Sequence, residues 1–285
     1  MRIRDYVNTH GVDAFNRDDF FFVGSKVSND PARLVLVGGQ AIEAWGLYFK
    51  VLAPSGDVQP LTEDTDWFGK KESAIWLCKQ LGRDNTDLQL ASPEDPSPNT
   101  AVAFHKRPDG RVVLIDFLKS LVGLDPKAIV ERAVPVQVGP VHLYILHPLL
   151  CLESRLANLA HLPAKRNSNG VMQAQWAINI VAAYLRQLVE IAPMREAMTA
   201  CREVSEAAEY RAGPYCYDEF NIDPLQAITR ELLERIGGLF STEDWPRRLA
   251  RIDKQRAKRA ARVIARQQIV SYKFTLTPPT KPQKA

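Results

Sequence analysis

From His147-Pro148 onward the apolar residues of this chain keep a helical spacing, and that change limits the fold more than any other feature. Before it, most apolar residues come in short runs bounded by Gly, Pro, Asn and Asp, as strands require, with two helical stretches among them. After it they recur three and four apart, as on the buried face of a helix. "PLLCLESRLANLAHL", "VMQAQWAINIVAAYLRQLVEI", "MREAMTACREVSEAAEY", "PLQAITRELLERIGG" and "DWPRRLARIDKQRAKRAARVIARQQ" all carry the helical pattern. The expected class is therefore α+β. A small mixed β-sheet domain is expected over residues 1–145, a helical domain over 146–270, and a disordered Pro/Lys-rich tail over 271–285. A chain of 285 residues with 46% hydrophobic content can bury cores of that size.

Within the first part, "ARLVLVGGQAIEAWGLYFK" reads as a strand over Arg33 to Val37, a Gly-Gly turn, and a helix with Ile42, Trp45 and Phe49 on one side. The loop "APSGDVQP" ends that helix, and Asp64 to Phe68 is expected to form the next strand. "KESAIWLCKQLG" follows as an amphipathic helix. "TDLQLA", "TAVAFHK" and "RVVLIDFL" supply three more strands, the last two joined by "RPDG", and "VPVQV" with "VHLYIL" forms a further hairpin through Gly139-Pro140. Pro148 suits the first turn of a helix, where its missing N–H is no loss.

The formal charge of +4 hides an asymmetry. Residues 247–285 contain 12 Lys/Arg and one acid, hence +11, whereas the rest contains 25 Lys/Arg and 32 acids, hence −7. No run approaches the roughly 18 apolar residues of a membrane span, and the N-terminus lacks a secretory pattern, so the expected place is the cytoplasm with no membrane partner. Cys78, Cys151, Cys201 and Cys216 are scattered, with no CxxC pair, and read as reduced and packed.

"LTEDTDWFG" places Asp64 and Asp66 two apart at the entry to a strand. Side chains alternate along a strand, so both acids share one face, about 7 Å apart at the backbone, and Thr65 and Trp67 share the other. Two carboxylates so placed can share a hard divalent cation such as Mg²⁺. Asp116 is the only charge in the apolar run "VVLIDFL", where an unpartnered carboxylate costs several kcal/mol. A metal or an acceptor hydroxyl would satisfy it. Gly38 and Gly39, at a strand-to-helix turn, let backbone N–H groups approach a phosphate at a helix N-terminus. A phosphate cradle followed by three carboxylates suits phosphoryl or nucleotidyl transfer.

The order of strand, Gly-Gly, helix, "TEDTD" and a single later Asp resembles the polymerase-beta-type nucleotidyltransferase superfamily. More narrowly, "LVGGQAIEAWG" and "LTEDTDWF" before a helical half resemble the AbiEii-type nucleotidyltransferase toxins, over roughly residues 33–118. The resemblance implies a nucleotidyltransferase domain with a two-Mg²⁺ site and an NTP substrate. Asp64, Asp66 and Asp116 would be the metal ligands and catalytic acids, with Asp116 as general base, and Gly38 and Gly39 the phosphate-contacting turn. It also implies nucleotide transfer to an acceptor hydroxyl, with the tRNA 3′ end as one acceptor, a toxin or phage-defence role, and an antitoxin partner. Many members have Ser where Gly39 stands. The toxin group tends to carry a Lys and then an Asp on a later helix; Lys165 would bind nucleotide as that lysine, but no acid follows until Glu190.

Blander roles are expected elsewhere. His147 reads as a helix cap or packed residue, Trp67 as core, and Glu153 with Arg155 as an exposed ion-pair face. Leu249, Ile252, Ala260, Val263 and Ile264 give the last helix a thin apolar stripe, and its cationic remainder, residues 247–266, suits RNA phosphates or simple solvation. Two rival functions stand beside it: a non-catalytic RNA-binding protein that keeps the fold but uses the helical half and its basic face, and a metal-dependent nuclease that uses the same carboxylates and needs no NTP.

Overall fold

A computed structural model describes residues 11–54 and 64–274, with side chains to residue 265. Most of the "APSGDVQP" loop, Leu61 to Glu63 and the tail from residue 275 lie outside the described residues. The strands are β1 (Val35–Leu36), β2 (Asp64–Phe68), β3 (Thr86–Leu90), β4 (Asn99–Lys106), β5 (Val112–Leu118), β6 (Val134–Val138) and β7 (Val141–Ile145). They form one mixed seven-stranded sheet in the order β3-β4-β5-β2-β1-β7-β6. β2 pairs with β5, and β1 with β7, in parallel; the remaining pairs are antiparallel.

β1 is shorter than the sequence suggests. Pro31 starts a 3₁₀ turn over Pro31–Arg33, which leaves Val35 and Leu36 to pair between β2 and β7. Helix α1 (Arg17–Val27) is not expected from sequence. It opens with a capping box, in which the Asn16 side chain accepts from Asp19 N–H and the Asp19 carboxylate accepts from Asn16 N–H. Buried Phe20, Val23 and Val27 pack α1 against β7 and α3 (Lys71–Leu81).

Helix α2 (Gly38–Phe49) leaves β1 through the two glycines, and a short α4 (Pro126–Glu131) precedes β6. Beyond Pro148 come α5 (Pro148–His161), α6 (Ser168–Ile191), α7 (Met194–Glu209), α8 (Gly213–Phe220), α9 (Arg230–Ile236) and α10 (Trp245–Phe274). "PLQAITRELLERIGG" is not one helix but a 3₁₀ turn, Pro224–Ala227, followed by α9. α8 is also unanticipated. His147 caps α5, its Nδ1 accepting from Leu149 N–H at 3.2 Å.

The chain divides into two compact units, Met1–Arg235 and Ile236–Ala285. Residue 145, the expected end of the first domain, thus lies inside the first unit. The reason is physical: α2 packs on both α5 and α6, and Trp45 Nε1 donates to Leu146 O at 2.8 Å. Trp176 of α6 donates to Val51 O at 3.0 Å, and its ring fills the space over Gly46, where a Cβ would lie 2.4 Å from Cζ2. In the second unit a π turn, Phe240–Asp244, leads into α10, which continues past residue 270 to Phe274. Ile252 is buried, while Ala260, Val263 and Ile264 of the expected apolar stripe are exposed.

Candidate metal centre

Asp64, Asp66 and Asp116 meet because of strand register. β2 and β5 run parallel with Asp66 directly opposite Asp116, and Asp64 lies two residues before Asp66 on the same face. Thr65 and Trp67 point to the opposite face and are fully buried there. One carboxylate oxygen from each of the three acids lies within 4.8 Å of the others.

The surroundings are dry enough to change how these acids ionise. Burial, then the neighbouring Asp64 charge, pushes the Asp66 carboxyl up to about 7, against the pull of Arg155 and Lys165. Burial, with the charges of Asp66 and Asp64, holds Asp116 well above the usual carboxylate range, while a hydrogen bond from Asn99 acts in the opposite direction. Asp116 Oδ1 is buried with no hydrogen-bond partner. Three hard oxygen donors in mutual reach, one of them orphaned, fit a divalent cation of the Mg²⁺ or Mn²⁺ type.

Gly38 is fixed by this arrangement. Its φ of +70° suits glycine, and a Cβ there would lie 1.9 Å from Asp66 Oδ2. No larger residue fits. The turn is tied to β2 by Val37 N–H donating to Asp66 O at 2.9 Å. α2 has no side-chain cap at its N-terminus, and both Gly38 and Gly39 line the same cavity as the acids.

That cavity has a volume of about 430 Å³. All six residues singled out in the sequence, Gly38, Gly39, Asp64, Asp66, Asp116 and Lys165, line it. Lys165 ends a 3₁₀ turn, Pro163–Lys165, and its charge acts on Asp66 and Asp116 from an exposed position. Gly170 permits this turn to abut the start of α6, because a Cβ there would lie 2.0 Å from Lys165 O.

Arg155 corrects an expectation. It is buried, not part of an exposed ion-pair face; Glu153, on another face of α5, instead pairs with Arg211. Arg155 lines the acid cavity, donates through Nη1 to Gln173 Oε1 at 2.8 Å, and leaves Nε without a partner. Burial lowers its affinity for a proton, and the charges of Asp66, Cys151 and Asp64 restore part of it. A larger cavity, about 770 Å³, lies on the Glu153 side of α5, but its Arg132–Glu203 and Arg211–Glu153 pairs balance their own charge. The smaller cavity is lined by Asp116 and Arg155, whose Oδ1 and Nε are buried without a hydrogen-bond partner.

No helix among the described residues is long and apolar enough to cross a membrane. Cys78, Cys151, Cys201 and Cys216 are buried free thiols. No family model matches the chain, and no curated protein matches it.

Proposed function

We propose that the protein is a Mg²⁺-dependent nucleotidyltransferase that moves a nucleotide from an NTP to an acceptor hydroxyl. The observation that carries this reading is the meeting, in one cavity, of three carboxylates, an uncapped helix N-terminus and two cations. A carboxylate triad alone suits many metal sites. A triad facing groups that attract phosphate suits a metal-bound polyphosphate.

Asp64, Asp66 and Asp116 would hold the divalent cation, which would supply positive charge to neutralise the phosphates. Gly38 and Gly39 present backbone N–H groups to the phosphates. Arg155, held by Gln173, supplies a buried positive charge in the wall, and Lys165 an exposed one at the rim. The acceptor oxygen attacks the α-phosphorus, the bond to the α–β bridging oxygen breaks, and pyrophosphate leaves. Asp116, whose Oδ1 is buried without a hydrogen-bond partner, would take the acceptor proton. A toxin or phage-defence role with an antitoxin partner belongs to the same reading and rests on the sequence resemblance.

Purified protein, Mg²⁺, total RNA and each α-³²P-labelled NTP in turn, beside an Asp64→Ala/Asp66→Ala variant, test the proposal. Label on RNA only with the intact protein supports it and names the nucleotide. Absence of transfer together with absence of Mg²⁺-NTP binding by calorimetry overturns it, and RNA shortened without NTP points to the nuclease.

A further inference from the structure

We infer that the exposed face of α10 binds the sugar-phosphate backbone of nucleic acid, without regard to sequence, and so deepens the transferase reading by naming the acceptor class. Arg251, Lys254, Lys258 and Arg262 are all exposed. Their spacing of three, four and four residues keeps them within roughly 80° of arc and about 16 Å of helix length. The result is one straight ridge, with a cation about every 5 Å. Asp253, the one acid of residues 247–285, projects to the far side of the helix. Arg247 and Arg248, one turn earlier, pair with Glu243 and Asp244.

A linear array of positive charge calls for a linear polyanion, and a nucleic-acid strand is one. A membrane surface also attracts cations, but an interfacial helix needs a broad apolar face with Trp, Phe or Leu. The exposed large apolar groups described between residues 247 and 265 are Val263 and Ile264. The net charge of +11 over residues 247–285 favours the same polyanion. The ridge carries no Asn, Gln or aromatic to read adenine edges or stack on bases, so its contacts fall mainly on phosphates.

Fluorescence anisotropy with a fluorescein-labelled single-stranded 20-nucleotide RNA, from 50 to 200 mM KCl, tests the inference on the full-length chain. Four neutralised phosphates give a log–log salt slope near −2.8, an affinity loss of about 50-fold over that range. Arg251→Glu/Lys254→Glu/Lys258→Glu/Arg262→Glu is expected to abolish binding, with unchanged circular dichroism. The milder Lys254→Gln/Lys258→Gln should lower the slope by about 1.4. Unchanged affinity and slope in the milder variant would overturn the inference, as would binding to phosphatidylserine vesicles without binding to RNA. Asp64→Ala/Asp66→Ala should bind RNA like the parent chain, so failure of the transferase reading leaves this result separate.

Discussion

At the scale of single residues, Asp66 and Gly38 are two halves of one constraint. Gly38→Ala must place a methyl group within 1.9 Å of the Asp66 carboxylate and hold φ at +70°, so it is expected to cost at least about 2 kcal/mol and to weaken metal binding. Urea unfolding and calorimetry with Mg²⁺ would measure both. Asp66 itself is expected to destabilise the metal-free protein. Its carboxyl is raised from 3.8 to about 7, so below pH 4 the folded and unfolded chains are both protonated, and stability falls as pH rises through 7. Asp66→Asn should therefore raise metal-free stability at pH 8 by a few kcal/mol, and saturating Mg²⁺ should reverse the order of melting temperatures. A variant that melts below the parent without metal would contradict this assignment of strain. The acids were legible in sequence because strand alternation fixes which side chains share a face. Arg155 was not. Its meaning depends on Gln173, eighteen residues later, and on the two acids of β2, none of which lies on its own helix.

At the scale of elements, the N-terminus of α5 decides how the second half of the chain meets the first. His147 accepts from Leu149 N–H through Nδ1 and meets the Tyr184 ring of α6 edge-on at 5.1 Å between centroids. Burial, with the Arg132 charge, lowers its pKa from 6.5 to about 4. A depressed histidine contributes stability that is present above pH 6.5 and lost as pH falls through 4. The loss expected in that window is about 3 kcal/mol, and His147→Asn, which keeps an acceptor but cannot titrate, should flatten it; urea midpoints at pH 7.5, 5.5 and 4.5 would show the slope. Elements with a clean period were readable from sequence, and those without it were not. Three adjacent phenylalanines, Phe20 to Phe22, blur the helical pattern of α1, leaving only the Asn16/Asp19 capping box as a signal. α8, eight residues with Pro at its start, is held by α5 and α7 rather than by its own propensity. β1 shortened because its ladder is set by its two neighbours, whose positions no local pattern encodes.

At the scale of the whole molecule, the change of period at Pro148 marks a change of element type and not an edge of the first unit, because Trp45 and Trp176 stitch α2 to the segments that follow. Apolar spacing reports which face of a helix is buried and is silent about the partner that buries it. The same distinction bears on the acids. Asp66 faces Asp116 across a parallel pair whose partners lie 50 residues apart, and a slip of one residue would turn Asp116 to the other side of the sheet. Such pairing forms late, since the loop must close before any contact compensates. In a refolding experiment followed by Mn²⁺ uptake and tryptophan fluorescence, chelation should recover no earlier than the slowest fluorescence phase. Uptake that ran ahead of it would place the acids together before the sheet. The register of two strands would thus act as a clock: a newly made chain gathers its three acids only once its sheet has closed.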